Sequence, residues 1–346
     1  MDDATQPTTS PSKPSSRAPT AIVRNVFTFA RGEIQYAVRV VVESHFAPPP
    51  RALRVRRFFY GVALPFAVLA ATLRTPAIRA RYLRVTAVQM AVLIPPSVLY
   101  LAESDRITQA LESSGHSPLS ATIAVITAIV STLSIIEWCI IALSRQHHEL
   151  LAAMAAATTG VPWEPLRAPP RIELDIRWLA KKLKRRARGL LLFASAFPLL
   201  WLLTLIPLVG DVLYAVGTAL WGGYWLSVFA LANTASAWWY ASPKGPWLPR
   251  VLDTPGKVPV IGWPARVYAG VLRTIMTPVE AACTSFEQAP YEAAGLAAAR
   301  AICGIPGIYM FVRPVLGVAA AHVMLSIHRT SGTPLPPPDR VPPQLA

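Results

Sequence analysis

The chain has 346 residues, 53% of them hydrophobic and only 15% charged, with a mean hydropathy of +0.41. A soluble domain carries about 25% charged residues, so this composition excludes an ordinary soluble globular protein and predicts an all-α, polytopic helical membrane protein. The net charge of +15 is assigned to the membrane surface and not to nucleic acid, because no zinc-finger spacing or aromatic RNA-binding signature accompanies it.

Residues 1–19 are polar and rich in Pro, Ser and Thr; they are expected to be a disordered cytoplasmic tail and not a signal peptide. In residues 20–57, Ile22, Val23, Phe27 and Val38 alternate with Arg24, Arg31 and Arg39. This predicts an amphipathic helix, ended by Pro48-Pro49-Pro50, and then a linker. The apolar run 58–73 is short of the roughly 20 residues a crossing needs and has arginines on both sides, so a helix lying in the interface is expected.

A membrane core is placed at 58–240. Residues 85–102 are uncharged and long enough to cross; Pro95-Pro96 should kink the helix, with Tyr82 and Tyr100 as interfacial anchors. The loop 103–117 is acidic. Residues 118–144 form a second apolar segment, broken only by Glu137, with Cys139 expected as a small core residue. Residues 145–188 are basic and end in a dense run containing Lys181, Lys182, Lys184, Arg185 and Arg186. Residues 189–209 read as a third span, Gly210-Asp211 as the turn, and 212–239 as a fourth. The basic segments before 85, at 145–188 and after 240 place both ends of this core on the cytoplasmic side. Two to four full crossings are expected, with interfacial or partly inserted helices beside them. Residues 241–328 form a C-terminal extension whose apolar stretches 267–286 and 301–327 are left open as crossings. A Pro-rich tail, 329–346, follows.

Four pieces of this pattern resemble a known family. They are Phe59-Tyr60-Gly61-Val62-Ala63-Leu64-Pro65 followed by Leu73-Arg74-Thr75-Pro76, the Ala142-Leu143-Ser144 step into a polar helix ending at Gly160, the basic helix 178–188 leading into an apolar run, and Leu205-Ile206-Pro207-Leu208-Val209-Gly210. Over roughly 58–240 the order resembles the CysZ-type sulfate permeases and the related etoposide-induced membrane proteins. The chain departs from the family in its nearly uncharged Asn233–Trp239 and in its N- and C-terminal extensions. The resemblance implies a permease of a bacterial inner membrane, with a hairpin 189–239 that dips into the bilayer.

The expected function is a permease or channel for a small inorganic anion such as sulfate; the alternative is a non-transporting membrane scaffold or assembly factor. Glu137 is the sharpest candidate, since an ionisable group in an apolar segment is either on a solute pathway or hydrogen-bonded to a neighbouring helix. Pro207, Gly210 and Asp211 could line the pathway if the helix N-terminus there faces a cavity, although a plain turn explains them as well. Lys181, Lys182, Lys184, Arg185 and Arg186 would attract anions or anchor the chain on anionic lipid. His147-His148 point to different helix faces and make a poor metal site. Arg313 is expected to snorkel to headgroups, and Gly217, Gly222 and Gly223 to suit close helix packing. No catalytic residue, metal or cofactor is expected, because no enzymatic motif or CxxC pair occurs. The bilayer, an inorganic anion and a second copy of the chain are the expected partners.

Overall fold

The structure, a computed structural model, describes residues 53–113, 117–164, 169–234, 245–253 and 262–331, with isolated positions 28, 31, 32 and 35 before them. The expected tail 1–19, residues 332–346 of the expected tail 329–346, most of the helix and linker at 20–57, the end of the fourth span at 235–239 and residues 241–244 and 254–261 of the C-terminal extension lie outside the described residues. Among the described residues every regular element is helical.

Helix α1 (Arg54–Arg74) begins four residues earlier than the apolar run and reaches 21 residues. It is longer than the 58–73 run expected to lie in the interface, and long and apolar enough to cross a membrane. The arginines enter the helix because α11 (Pro290–Ile302) supplies partners for them: Arg57 pairs with Glu292, and Arg54 and Arg57 lie over the ring of Tyr291. Thr75, extended ahead of Pro76, ends α1. Helix α2 (Pro76–Ser113) runs unbroken through Pro95-Pro96. Helix α3 (Pro118–Leu143) is started by Ser117, whose side chain accepts from Ser120 N. Helix α4 (Arg145–Thr159) stops at Gly160, whose φ of 71° suits a residue without Cβ.

Helix α5 (Ile176–Ala194) is capped by Asp175, which accepts from Trp178 N at 2.9 Å. The expected third span at 189–209 is not one helix. α5 ends at Ala194, α6 (Phe197–Trp201) is a single short piece, and Leu202–Leu205 tighten into a 3-10 turn. Pro198 and Pro207, each without an N–H to donate, stand where the continuous ladder is lost. Helix α7 (Gly210–Leu231) then returns along the hairpin. The tip carries Leu208, fully exposed and in the left-handed region at φ 72°, among exposed Leu205, Ile206 and Val209.

The C-terminal third contains α8 (Trp247–Asp253), α9 (Gly262–Met276), α10 (Glu280–Gln288), α11 and α12 (Ile308–Ser331). The stretch 267–286 is divided between α9, a 3-10 turn at Thr277–Val279 and α10. The stretch 301–327 is broken at 303–307, after which α12 runs as one helix. Helices α1, α2, α3, α7 and α12 are long and apolar enough to cross a membrane.

Small residues build the core. Among the described residues α1 packs on α11 more extensively than any other pair of helices, α11 also lies on α7, and α12 packs against α4 and α1. The α1–α11 crossing depends on two glycines: a Cβ on Gly61 would sit 2.1 Å from the Glu292 carbonyl oxygen, and one on Gly295 would sit 2.0 Å from that of Phe58. Ala63, Ala67, Ala293, Ala297, Ala319 and Ala320 fill the spaces around this contact. Helices α2 and α3 pair with each other and stand largely outside that core. They join the rest of the molecule through Leu93, Ile140, Ile141 and Met310, and through Tyr82. Tyr82 is not an interfacial anchor; it is fully buried, and its hydroxyl donates to the Phe311 carbonyl. Cys139, expected in the core, is exposed because the neighbouring Glu137, Ile140 and Ile141 take the inward face of α3.

Candidate anion site between α5, α7 and α11

The dense basic run folds as one face of α5 and not as a uniform stretch. Lys182, Arg185, Arg186, Gly189, Leu190 and Phe193 recur at helical spacing and line a cavity of about 390 Å³. Lys181 and Lys184 point away and are exposed. The opposite wall comes from the end of α7, with Phe229, Ala232 and Asn233, and from Arg300 of α11. Gly189 allows the approach, since a Cβ there would meet the Phe229 ring at 3.1 Å.

Two of the four cations already have a task. Arg300 Nη1 donates to Phe229 O at 2.7 Å and Arg185 Nη2 donates to Ala232 O, so both satisfy carbonyls at the C-terminus of α7. Arg186 lies 5.2 Å over the ring of Trp138 of α3. Lys182 has no carboxylate partner among the described residues. Burial, with Arg313, Arg185, Arg186 and Arg300 nearby, pushes its pKa down to about 7. Burial and then Arg300 bring Arg185 down to about 10. The half-buried cavity therefore concentrates positive charge with little compensation, and an anion would relieve it.

Glu137 lies elsewhere and is already occupied. Its Oε1 accepts from Gly307 N at 2.9 Å and Met310 N at 3.0 Å. It therefore caps the first turn of α12, immediately after the break at 303–307, and is almost completely buried. Among the alternatives for this carboxylate, the geometry supplies the hydrogen bond to a neighbouring helix. Pro207 and Asp211 are exposed at the tip of the α5–α7 hairpin, and Gly210 is buried between them. Gly210 is needed there because a Cβ would meet Leu203 O at 2.6 Å. Asp211 sits in the first turn of α7, and no side-chain cap bond forms at that end. The turn accounts for all three, and their neighbours differ from those of Glu137.

A second polar cluster joins α2, α4 and α12. Arg313 does not snorkel outward. Its Nη1 reaches His148 Nδ1 at 2.7 Å, and His148 Nε2 lies 2.7 Å from the amide of Gln89, which also lies 2.6 Å from Ser144 Oγ. Arginine can only donate, so His148 Nδ1 accepts and Nε2 carries the proton. The amide oxygen of Gln89 is the group that can take that proton. Burial, then Arg313, holds the His148 pKa well below 6.5, so the ring is neutral. His147 points to a different side and lines a separate cavity. Among the described residues no three His, Cys, Asp or Glu side chains gather as a metal site requires.

The glycines of α7 divide. Gly217 faces Leu200, with a Cβ contact of 2.9 Å, Gly222 faces Phe193, and Gly223 faces open space. Arg300 and Asn233 escape the sequence reading of the site. The available signal is the isolation of Arg300 as the only charge in the Ala-rich stretch 293–302. Comparison with protein-family models, with curated proteins and with solved structures gives no match, so the resemblance to CysZ-type permeases stands on its motifs alone.

Proposed function

We propose that this chain is an integral protein of a bacterial inner membrane, with its N-terminus cytoplasmic, that binds a small inorganic anion such as sulfate and passes it as a permease or channel. The five helices that, among the described residues, are long and apolar enough to cross a membrane support membrane integration. The acidic segment 103–117, which the structure makes largely the last turns of α2, and the basic segments on either side of the core support the orientation. The observation that carries the anion reading is Lys182, a half-buried cation without a carboxylate partner among the described residues, in a cavity shared with Arg185, Arg186 and Arg300.

In this reading the cavity is the cytoplasmic mouth, where the anion exchanges its water shell for ammonium and guanidinium donors. Arg185 and Arg300 hold the end of α7 in place, and Lys182 and Arg186 supply the replaceable charge. Radiolabelled sulfate uptake into proteoliposomes tests it. Uptake above that of empty vesicles, reduced at least tenfold by Lys182→Gln/Arg186→Gln, is expected; uptake equal to empty vesicles removes the sulfate reading.

A second reading keeps the chain as a membrane scaffold. The exposed apolar α2–α3 pair favours it, because a partner protein could cover that face. Pull-down from detergent separates the two, since a preparation without a reproducible partner speaks against the scaffold.

A further inference from the structure

A second cavity, of about 480 Å³, opens where the first turns of α2 meet the start of α4 and the extended segment before α5. Its chemistry differs from that of the α5 cavity. The walls are mostly apolar, with Val85 and Val88 of α2 and Ile172. At its mouth stand Arg81 and Arg84, one helical turn apart and exposed. Among the described residues neither has an ion-pair partner. The nearby acidic residues of the segment are engaged: Glu173 accepts from Gln146 Nε2 at 2.7 Å, and Asp175 caps α5 and faces Arg145. Gln89, 3% exposed, lies in the cavity wall with one amide atom unpartnered.

The location selects the ligand. Arg84 is the last charge before the uncharged run 85–102, and Glu103 is the first after it. On the membrane placement proposed above, on which this inference rests, Arg81 and Arg84 lie at headgroup level and Val85 and Val88 lie in hydrocarbon. Exposed Val92 continues the apolar track along α2, and Ile172, also exposed, supplies apolar surface from the segment before α5. A free inorganic anion would find cations here but would leave the apolar walls unused.

We infer that this cavity is a binding site for one anionic phospholipid. Its phosphate is held by the Arg81 and Arg84 guanidinium groups, and an acyl chain lies along Val85, Val88 and Ile172.

Native mass spectrometry of the full chain in detergent, with phosphatidylglycerol and phosphatidylcholine supplied in equal amounts, tests this. One phosphatidylglycerol should be retained with a preference of roughly tenfold to thirtyfold, as two basic residues near an anionic headgroup imply. Arg81→Gln/Arg84→Gln should remove the preference, Arg81→Lys/Arg84→Lys should keep most of it, and Lys182→Gln/Arg186→Gln should leave it intact. Both arginines are exposed, so the variants should melt at the wild-type temperature without lipid. An unchanged preference in the Gln double variant, or displacement of the lipid by inorganic phosphate alone, overturns the lipid site while leaving membrane placement standing. Recovery of the chain in a detergent-free soluble fraction overturns both.

Discussion

Helix α12 and the α2–α3 pair have similar apolar character and opposite surroundings. The apolar window of α12 has a mean hydropathy of 1.7 and is 78% buried inside the protein, whereas α2 at 1.7 and α3 at 2.2 are each 11% buried. Hydropathy ranks the preference for leaving water and says nothing of what replaces it. Side-chain size makes that choice. α12 offers Gly317, Ala319, Ala320 and Ala321 to its neighbours, so backbones can approach. α3 projects Ile123, Ile126, Val130 and Ile135 outward, branched side chains that suit fluid acyl chains.

If this contrast is right, the two regions should respond differently to substitution. The largest effect is expected at the α1–α11 crossing. Gly295→Val forces two backbones apart and should cost about 3 kcal/mol, or abolish folding, while Gly223→Ala on the open face of α7 should leave the melting temperature in detergent unchanged. Next comes the junction between the regions, where Glu137 of α3 caps α12. Glu137→Ala should destabilise by roughly 2 kcal/mol, because two buried N–H groups lose their acceptor. Glu137→Gln keeps an acceptor oxygen and should lose less in the same melting experiment. A Gln variant that melts normally but transports nothing would return Glu137 to the solute pathway. The smallest effect is expected on the outer face of α3, where Ile126→Ala should change detergent stability by less than about 0.5 kcal/mol. A loss like that of a core truncation would mean that this face is covered, most simply by a second copy of the chain.

The apolar stretches 85–102 and 118–144 are legible because they are long, uncharged or nearly so, and bounded by charge. The second matches α3; the first lies within α2, which continues through most of the expected 103–117 loop to Ser113, because no Pro or Gly interrupts the chain between Ser97 and Ser114. The basic face of α5 is also legible, since Lys182, Arg185, Arg186 and Gly189 recur at helical spacing. What escapes depends on contacts distant in sequence. α1 is lengthened at its N-terminus by the Arg57–Glu292 pair, 235 residues apart. The core role of α12 depends on a cap supplied by Glu137, and Arg313 finds His148 instead of headgroups. The third span looks continuous by hydropathy and breaks because Pro198 and Pro207 remove donors from its ladder. Arg300 looks like an ordinary helix cation until α7 places Phe229 O against it.

The central claim is that Lys182 belongs to an anion site, and its pKa of about 7 gives the most direct test. An anion favours the ammonium form, which is present below that pH and lost above it, so affinity must fall as pH rises. Sulfate titrated into the purified chain by calorimetry should bind about tenfold more weakly at pH 8 than at pH 6, and Lys182→Arg, which keeps its charge, should flatten the difference. Equal binding at both pH values, with no loss in Lys182→Gln, would contradict the account.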